Sequence, residues 1–192
     1  MILTDREIRI AISRRLIEID PAPDSETAFS STAVDLTLDS RIRIFKDADP
    51  GVLRIIGPTQ AGFDANETIG ALTESRKIGA QGFDLPPKVL ILAWTAEYVG
   101  LATETRIAAR VEGKSSLARL GLGVHVTAPT IHAGFKGQIQ LEMVNHGSVP
   151  VRLKSGMRIC QLIFETTLGT PEKGYRGQFA GQTAKGPGKR AA

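Results

Sequence analysis

The sequence predicts a mainly β fold, a barrel or a sandwich, and two observations carry that prediction. Short apolar runs with a period of two recur from residue 34 onward, which is typical of strands that bury one face. Glycine and proline separate these runs, and little helical periodicity follows the first part of the chain. With 192 residues, 42% of them hydrophobic, the chain can bury a substantial core in one domain.

A short helix is predicted at the start of the chain. Thr4, with Glu7 three positions later, forms a capping box, and an apolar stripe at helical spacing follows it. The stripe consists of Ile8, Ala11, Ile12 and Leu16. Prolines in the segment 20–23 end the helix, and we expect a loop as far as Thr32.

Strands are predicted wherever apolar and polar residues alternate. The predicted strands are residues 34–38, 42–45, 52–56, 89–94, 106–111, 124–128, 138–145, 149–153 and 158–165. Residues 115–120 are expected to form one or two helical turns that end at Gly121 and Gly123. Residues 57–84 show no sustained period, so they predict either a hairpin or a long loop.

The end of the chain has a different composition. Glycine, proline, lysine and glutamine dominate from residue 169, so we expect one domain at 1–168 and a flexible tail at 169–192. On charge alone the tail is a solvated end. A second interpretation is a flap that closes on an anionic small molecule.

Composition and charge exclude several classes of protein. The net charge is only +4 and aromatic residues make up 5%, so neither nucleic-acid binding nor a base-stacking platform is expected. Apolar runs such as residues 89–94 are too short to span a bilayer. The first residues lack a signal-peptide pattern, so we expect a cytoplasmic protein. One cysteine, Cys160, excludes an internal disulfide and a multi-cysteine zinc cage.

The segment 112–122 is a candidate phosphate site. Its Gly-Lys-Ser-Ser turn opens the short predicted helix with free backbone N–H groups, two hydroxyls and an ammonium. Ser115 and Arg119 are one helical turn apart and can converge on one ligand. The same residues also fit a capped surface helix with a solvated arginine, and the pattern alone does not decide between the two.

A second candidate lies in the strand predicted at 138–145. Alternation places Gln138, Gln140 and Glu142 on one face, which is most simply the solvent-exposed face of a sheet. If that face lines a pocket instead, Glu142 becomes a candidate general base. His125 has apolar neighbours in its predicted strand and is expected to be a structural histidine with its hydrogen bonds satisfied.

Together these segments closely resemble the dCTP deaminases of the dUTPase superfamily. The matching motifs are residues 2–8, 114–122 (Lys-Ser-Ser-Leu-Ala-Arg-Leu-Gly-Leu), 125–128 (His-Val-Thr-Ala), Leu141-Glu142 with Asn145, Gly156-Met157 with Gln161-Leu162, and 175–178 (Tyr-Arg-Gly-Gln). The resemblance is strongest over residues 110–165. It implies a jelly-roll-like β-barrel that assembles as a homotrimer with active sites between subunits. It also implies zinc-free hydrolysis of dCTP to dUTP and ammonia.

The resemblance also implies roles for individual residues. Glu142 would be the base that activates water, Ser115 and the carbonyl of Ala128 would hold that water, and Arg119 would support the site. The expected contacts of the triphosphate, which arrives with Mg²⁺, are Lys114, Ser115 and Ser116. The expected contacts of the nucleoside are Val126, Thr127, His132, Gln140 and Leu141. The phosphate end and its closing flap would use Gln161, Tyr175 and Gln178.

The chain departs from the family pattern in ways that leave alternatives open. His132 stands where the superfamily has an aspartate near the sugar 3′-hydroxyl, and that aspartate also handles the attacking water in dUTPases. Its absence argues against diphosphatase activity, whereas the turn at 133–137 resembles that of bifunctional enzymes that yield dUMP. A deaminase of a modified cytosine or a ribonucleotide, and a non-catalytic nucleotide-binding paralogue, are further alternatives.

Overall fold

The computed structural model describes residues 1–47, 51, 55–175, 177 and 181–186, and within them the fold is mainly β. The helices are α1 (Asp5–Ser13), α2 (Ala65–Leu72) and α3 (Ser115–Ala118), with a 3-10 turn at Thr103–Thr105. The strands are β1 (Ile17–Asp20), β2 (Phe29–Ser30), β3 (Ala33–Phe45), β4 (Thr73–Lys77), β5 (Phe83–Leu85), β6 (Leu90–Leu101), β7 (Ile107–Gly113), β8 (Leu122–Gly123), β9 (Thr130–Ile131), β10 (Lys136–Asn145), β11 (Val151–Leu153) and β12 (Arg158–Thr166). The predicted mainly β fold with a short N-terminal helix is confirmed. None of the helices described could cross a membrane.

One large antiparallel sheet organises the chain. Its strand order is β8-β10-β6-β3-β12-β7-β9, while β1 pairs with β6, and both β2 and β4 pair with β3. The long strand β3 pairs with β12 through Val34–Thr37 and with β6 through Leu38–Ile44, so it carries the sheet around a bend. The curled sheet encloses a core whose fully buried members include Leu38, Leu141 and Phe164.

Helix α1 begins as the sequence predicts but is shorter than the apolar stripe. Thr4 is the N-cap residue, but the predicted capping box does not form, because the Thr4 hydroxyl donates to the Glu7 carboxylate and its side chain caps no backbone N–H. Ile8 and Ala11 pack into the core. The helix ends at Ser13 because the chain turns into β1, where Ile17 and Ile19 are buried. Strand β1 was missed although its sequence, Ile-Glu-Ile-Asp, alternates.

Several predicted strands differ from the structure. The runs at 34–38 and 42–45 belong to one strand, β3, with a register shift between Leu38 and Ile42. The predicted strand 89–94 is the first half of β6, which continues to Leu101. Of the run 52–56, residues 52–54 lie outside the described residues and residues 55–56 are not a strand. Within 57–84, the structure forms α2, whose N-cap Asp64 accepts a hydrogen bond from the Glu67 backbone, followed by β4.

The predicted strand at 124–128 is wrong. These residues form an irregular loop, in which Val124 is buried and Val126, Thr127 and Ala128 are exposed. The alternation is present in the sequence, but no strand pairs with the segment. The Val126 backbone N–H instead donates a hydrogen bond to the carboxylate of Glu142.

Candidate active site

Glu142 lies on the outward face of β10. The inward residues of this strand, Ile139, Leu141 and Met143 among them, are buried, whereas Gln140 and Glu142 are half-buried. Across the sheet Gln140 pairs with Trp94 and Glu142 pairs with Leu92, so these four side chains share one face. That face is not simply exposed to solvent, because α2, the loop 124–129 and tail residues wall off a cavity above it.

The cavity around Glu142 has a volume of about 340 Å³ and collects part of the predicted site. The sequence-predicted residues that line it are Ala128, His132, Gln140, Leu141, Glu142 and Tyr175. Residues that sequence reasoning missed also line it, namely Ile69 of α2, His125 and Gln182. A cavity of this size lies at the lower end of the range for small-molecule sites.

Burial raises the pKa of the Glu142 carboxyl above its ordinary value of 4.5. Hydrogen bonds from the backbone N–H groups of Val126 and of Glu142 itself, and then the charge of His125, oppose that rise without cancelling it. The net effect is a carboxylate that holds a proton more readily than an exposed glutamate does. Such a group is suited to accept a proton and pass it on.

His125 is part of this site and not a satisfied structural histidine, so that expectation was wrong. Its Nδ1 atom is buried and has no hydrogen-bond partner among the described residues. The ring also lines the cavity close enough to Glu142 to affect the carboxylate electrostatically. The only signal in the sequence was its place in the resemblance motif 125–128, because a histidine in an apolar run is ordinarily buried and bonded.

His132 and Tyr175 form a stacked pair at the rim of the cavity. Their ring centroids are 5.6 Å apart with planes inclined by 15°, and Phe135 packs against Tyr175 at 6.0 Å. The Tyr175 backbone N–H donates to the Ala133 carbonyl at 3.1 Å. Gly134, with φ of +90°, permits this approach, because a Cβ there would lie 2.6 Å from the Tyr175 nitrogen.

The tail folds back onto β10 at Gln138. The Gln138 backbone N–H donates to the Gln182 carbonyl at 2.9 Å, and the Gln138 side-chain oxygen accepts from Ala184 N–H at 2.7 Å. Gly181 N–H donates to the Lys136 carbonyl at 2.8 Å. Of these tail residues, Gln182 lines the cavity. Gln178, which was predicted to contact substrate, lies outside the described residues.

Val126 and Thr127, which were also predicted, are exposed in the loop 124–129 and do not line the cavity. The other five predicted residues form a second group near the start of α3. The Lys114 ammonium lies 2.5 Å from the carboxylate of Asp35, a partner that sequence reasoning missed, and Gln161 donates to the Gly113 carbonyl at 3.3 Å. Ser115, Ser116 and Arg119 are exposed. Within the described residues, none of these five predicted side chains lines the cavity that holds Glu142. A single chain thus presents the predicted site in two parts.

No resident metal centre is visible in the described part of the chain, where no three His, Cys, Asp or Glu side chains converge. Cys160 is fully buried in β12, and burial raises the pKa of its thiol well above the usual range. This thiol is therefore a poor ligand or nucleophile and acts as a small apolar side chain in the core.

Comparisons with known proteins show the family of the chain. A family model described as dCTP deaminase-like matches residues 2–167. The chain is 39% identical over 182 residues to a dCTP deaminase, dUMP-forming, of Sulfurihydrogenibium sp., which covers 95% of this chain and 93% of that protein. It is 38% identical over 186 residues to a dCTP deaminase of Rhodospirillum rubrum, covering 96% of this chain and 91% of the other.

A solved structure shares the fold. The 2′-deoxycytidine 5′-triphosphate deaminase from Agrobacterium tumefaciens superimposes with a TM-score of 0.65 at 22% identity, covering 86% of this chain and 48% of that one. This match confirms the fold class expected from the resemblance. With the family model spanning most of the chain and relatives close to 40% identical over nearly its whole length, the chain belongs to the dCTP deaminase-like family.

Proposed function

We propose that this protein hydrolyses dCTP to dUTP and ammonia without zinc, with Glu142 as the general base. The observation that carries the proposal is the half-buried Glu142 carboxylate, whose pKa is raised by burial and which faces a cavity lined by other residues of the family motif. We also infer a cytoplasmic location, since a deoxynucleotide substrate is found there.

The chemistry requires a base because water, with a pKa of about 15.7, is a poor nucleophile. Glu142 takes a proton from water as the oxygen bonds to cytosine C4. The proton passes to ring N3, which receives the electron pair of the C4–N3 double bond and gives a tetrahedral adduct. Glu142 then takes the proton of the new C4 hydroxyl and passes it to the amine nitrogen. As C4=O forms, the C4–N4 bond breaks, ammonia leaves and the ring is left as uracil. A carboxyl with a raised pKa serves both directions of this transfer.

The positions of the other water-binding groups argue for a shared site. The Ala128 carbonyl belongs to the cavity of Glu142, whereas Ser115 and Arg119 are exposed elsewhere on the same chain. We infer that Ser115 and Arg119 serve the cavity of a neighbouring subunit in a homotrimer. Closed symmetry gives every subunit both halves of the site.

The phosphate end of the substrate would lie at the second group. Lys114, Ser115 and Ser116 would meet the Mg²⁺-bound triphosphate, and Asp35 holds the Lys114 ammonium in position. Gln161 projects at the same corner. Around the nucleoside, the backbone at Val126 and Thr127 and the β10 residues Gln140 and Leu141 would form the walls. The stacked His132 and Tyr175 would then lie at the sugar and flap side.

A bifunctional enzyme that yields dUMP directly is the second candidate. Relatives with this name from Sulfurihydrogenibium sp. and Methanothermobacter thermautotrophicus are 39% and 37% identical to the chain. The imidazole of His132, stacked on Tyr175, weighs against it, because no carboxylate occupies this position to orient water at the phosphate.

The deciding experiment scores ammonia and pyrophosphate separately. The purified full-length protein is incubated with Mg²⁺ and with dCTP, CTP, 5-methyl-dCTP, dUTP or dCMP. Ammonia from dCTP without pyrophosphate is the result expected for a deaminase. Pyrophosphate from dUTP as well as ammonia from dCTP identifies the bifunctional enzyme. Tight binding of nucleotides with neither product would refute the proposal and identify a non-catalytic paralogue.

A further inference from the structure

A second cavity adjoins the one that holds Glu142 and has a different chemical character. Its volume is about 150 Å³, which is the volume that about five water molecules occupy in liquid water. A phosphate group fits in this space. The cations that line it are Arg41 and Arg43 of β3 and Lys185 of the tail, together with Trp94 of β6. No acidic side chain lines it.

The register of the sheet places this cavity beside Glu142. Arg43 pairs with Leu92 on β6, and Leu92 pairs on its other side with Glu142. The three residues therefore form one row across β3, β6 and β10, and their side chains lie on the same face. Two strand spacings separate the backbones of Arg43 and Glu142 by about 10 Å.

The two cavities share walls. Ile69 of α2, Gln140 of β10 and Gln182 of the tail line both of them. The outward face of the sheet thus carries one groove with an acidic end at Glu142 and a cationic end at Arg41 and Arg43. Helix α2 on one side and tail residues 182–186 on the other cover the cationic end.

The charges at the cationic end are not neutralised within the described residues. No salt bridge joins Arg41, Arg43 or Lys185 to a carboxylate there. The Arg43 Nε donates to the Thr73 hydroxyl at 2.7 Å, which fixes the side chain and leaves its terminal nitrogens available. Asp39 accepts from the Arg41 backbone N–H but does not line the cavity.

We propose that Arg41, Arg43 and Lys185 form an anion site for phosphate groups, separate from the triphosphate contacts at Lys114 and Ser115. Two guanidinium groups and an ammonium around a cavity without carboxylates favour a diphosphate over a monoanion. The diphosphate can be a free anion or the end of a second nucleotide, because the substrate's own triphosphate is assigned to Lys114 and Ser115. The site stands independently of the proposed deamination.

Trp94 makes the site directly observable, because it is the single tryptophan of the chain and lines the cavity. We expect pyrophosphate, titrated at constant ionic strength, to change the Trp94 fluorescence saturably. Arg41→Gln and Arg43→Gln should each weaken binding about tenfold, since each removes charge-assisted hydrogen bonds. The exposed Arg14, whose side chain makes no hydrogen bond or ion pair with the described residues, provides the matched control, and Arg14→Gln should bind as the unchanged protein does.

A competition experiment distinguishes the two sources of the diphosphate. If dCTP displaces pyrophosphate while Arg43→Gln leaves the KM for dCTP unchanged, the site holds the end of a second nucleotide. A raised KM would show that Arg43 binds the substrate's own triphosphate, which would overturn the separation from Lys114 and Ser115. If both bind together, the site takes a free anion. The proposal is overturned if calorimetry and fluorescence detect no saturable pyrophosphate binding, or if Arg41→Gln and Arg43→Gln bind it unchanged. Because ammonia release is measured separately, failure of the deaminase activity does not affect this result.

Discussion

Glu142 and His125 are the two residues whose environments say most about the chemistry. The carboxylate is half-buried with a raised pKa, and the imidazole beside it keeps a buried nitrogen that finds no hydrogen-bond partner among the described residues. Both features destabilise the folded protein. Both groups can form hydrogen bonds with a polar substrate that enters the cavity. Two predictions test this pair.

Glu142→Gln should lower kcat for deamination by about 10²–10⁴-fold while dCTP binding is retained, because the amide keeps the shape of the side chain and loses its basicity. Retention of most of the rate would remove Glu142 from the mechanism.

The same variant should be more stable at pH 7. Since burial raises the pKa in the folded protein, the ionised carboxylate destabilises the fold at pH values above the unfolded pKa, about 4.3.

The stability gain of Glu142→Gln should therefore shrink as the pH falls to about 4, where the carboxyl is protonated in both states. Calorimetric melting curves at several pH values measure this gain in stability. Each kcal/mol of added stability raises Tm by about 2–4 °C. An equal Tm difference at pH 4 and pH 7 would show that packing, and not charge, is responsible.

His125→Gln should shift the acidic limb of the kcat/KM profile to higher pH. The charge of His125 lowers the pKa of Glu142, so its removal raises that pKa and delays ionisation of the base. The rate on the alkaline plateau should change less than the rate in the acidic limb. His146→Gln, at an exposed histidine that does not line the cavity, is the control. A uniform loss at all pH values would assign His125 a purely structural role.

At the scale of elements, strand β10 connects the outward face of the sheet, which carries Glu142, with the tail. Its inward side chains pack in the core, its outward side chains line the cavity, and Gln138 near its start holds residues 182–184. The Gln138 amide nitrogen also donates to the Thr95 carbonyl at 2.9 Å, so the tail is attached to β6 through one side chain.

Gln138→Ala should loosen this attachment. The Ala184 N–H loses its acceptor, so its hydrogen exchange should accelerate by about 2- to 10-fold, as expected for one hydrogen bond. Exchange at β12, away from the tail, should not change. Gln81→Ala, in an exposed turn, serves as the matched control. If Ala184 exchanges at the same rate in the variant, the side chain of Gln138 does not hold the tail.

For the whole molecule, the central question is whether one chain can form a complete site. Glu142 and Ala128 share one cavity, and Ser115 and Arg119 lie outside it. The proposed homotrimer, with sites between subunits, would bring the two groups together without a change of fold.

Mixed trimers test this arrangement. Glu142→Gln and Ser115→Ala are each expected to be nearly inactive alone. After unfolding and refolding together in equal amounts, about one quarter of the sites should combine an intact Glu142 from one subunit with an intact Ser115 from the next. Activity should then recover to about a quarter of that of the unchanged protein. No recovery, in a sample whose light scattering gives the mass of a trimer, would place both residues in a site within one chain.

The sequence by itself determined the elements that local patterns define. Helix α1 follows from its apolar stripe, and the two faces of β10 follow from alternation, which placed Glu142 on the outward face with Gln138 and Gln140. The motif at 114–122 and its relation to Glu142 came from the family resemblance. The roles assigned on that basis stay predictions for the experiments above.

Only the tertiary structure decided which of these residues meet. Alternation at 124–128 predicted a strand, but a strand needs a partner, and the segment instead turns its backbone to Glu142. Helix α2 was missed because it buries no residue and so lacks a strong apolar stripe. The row from Arg43 to Glu142 depends on the register of three strands separated by up to a hundred residues. Such long-range pairing leaves no local pattern in the sequence, since it is fixed by the packing of the whole core.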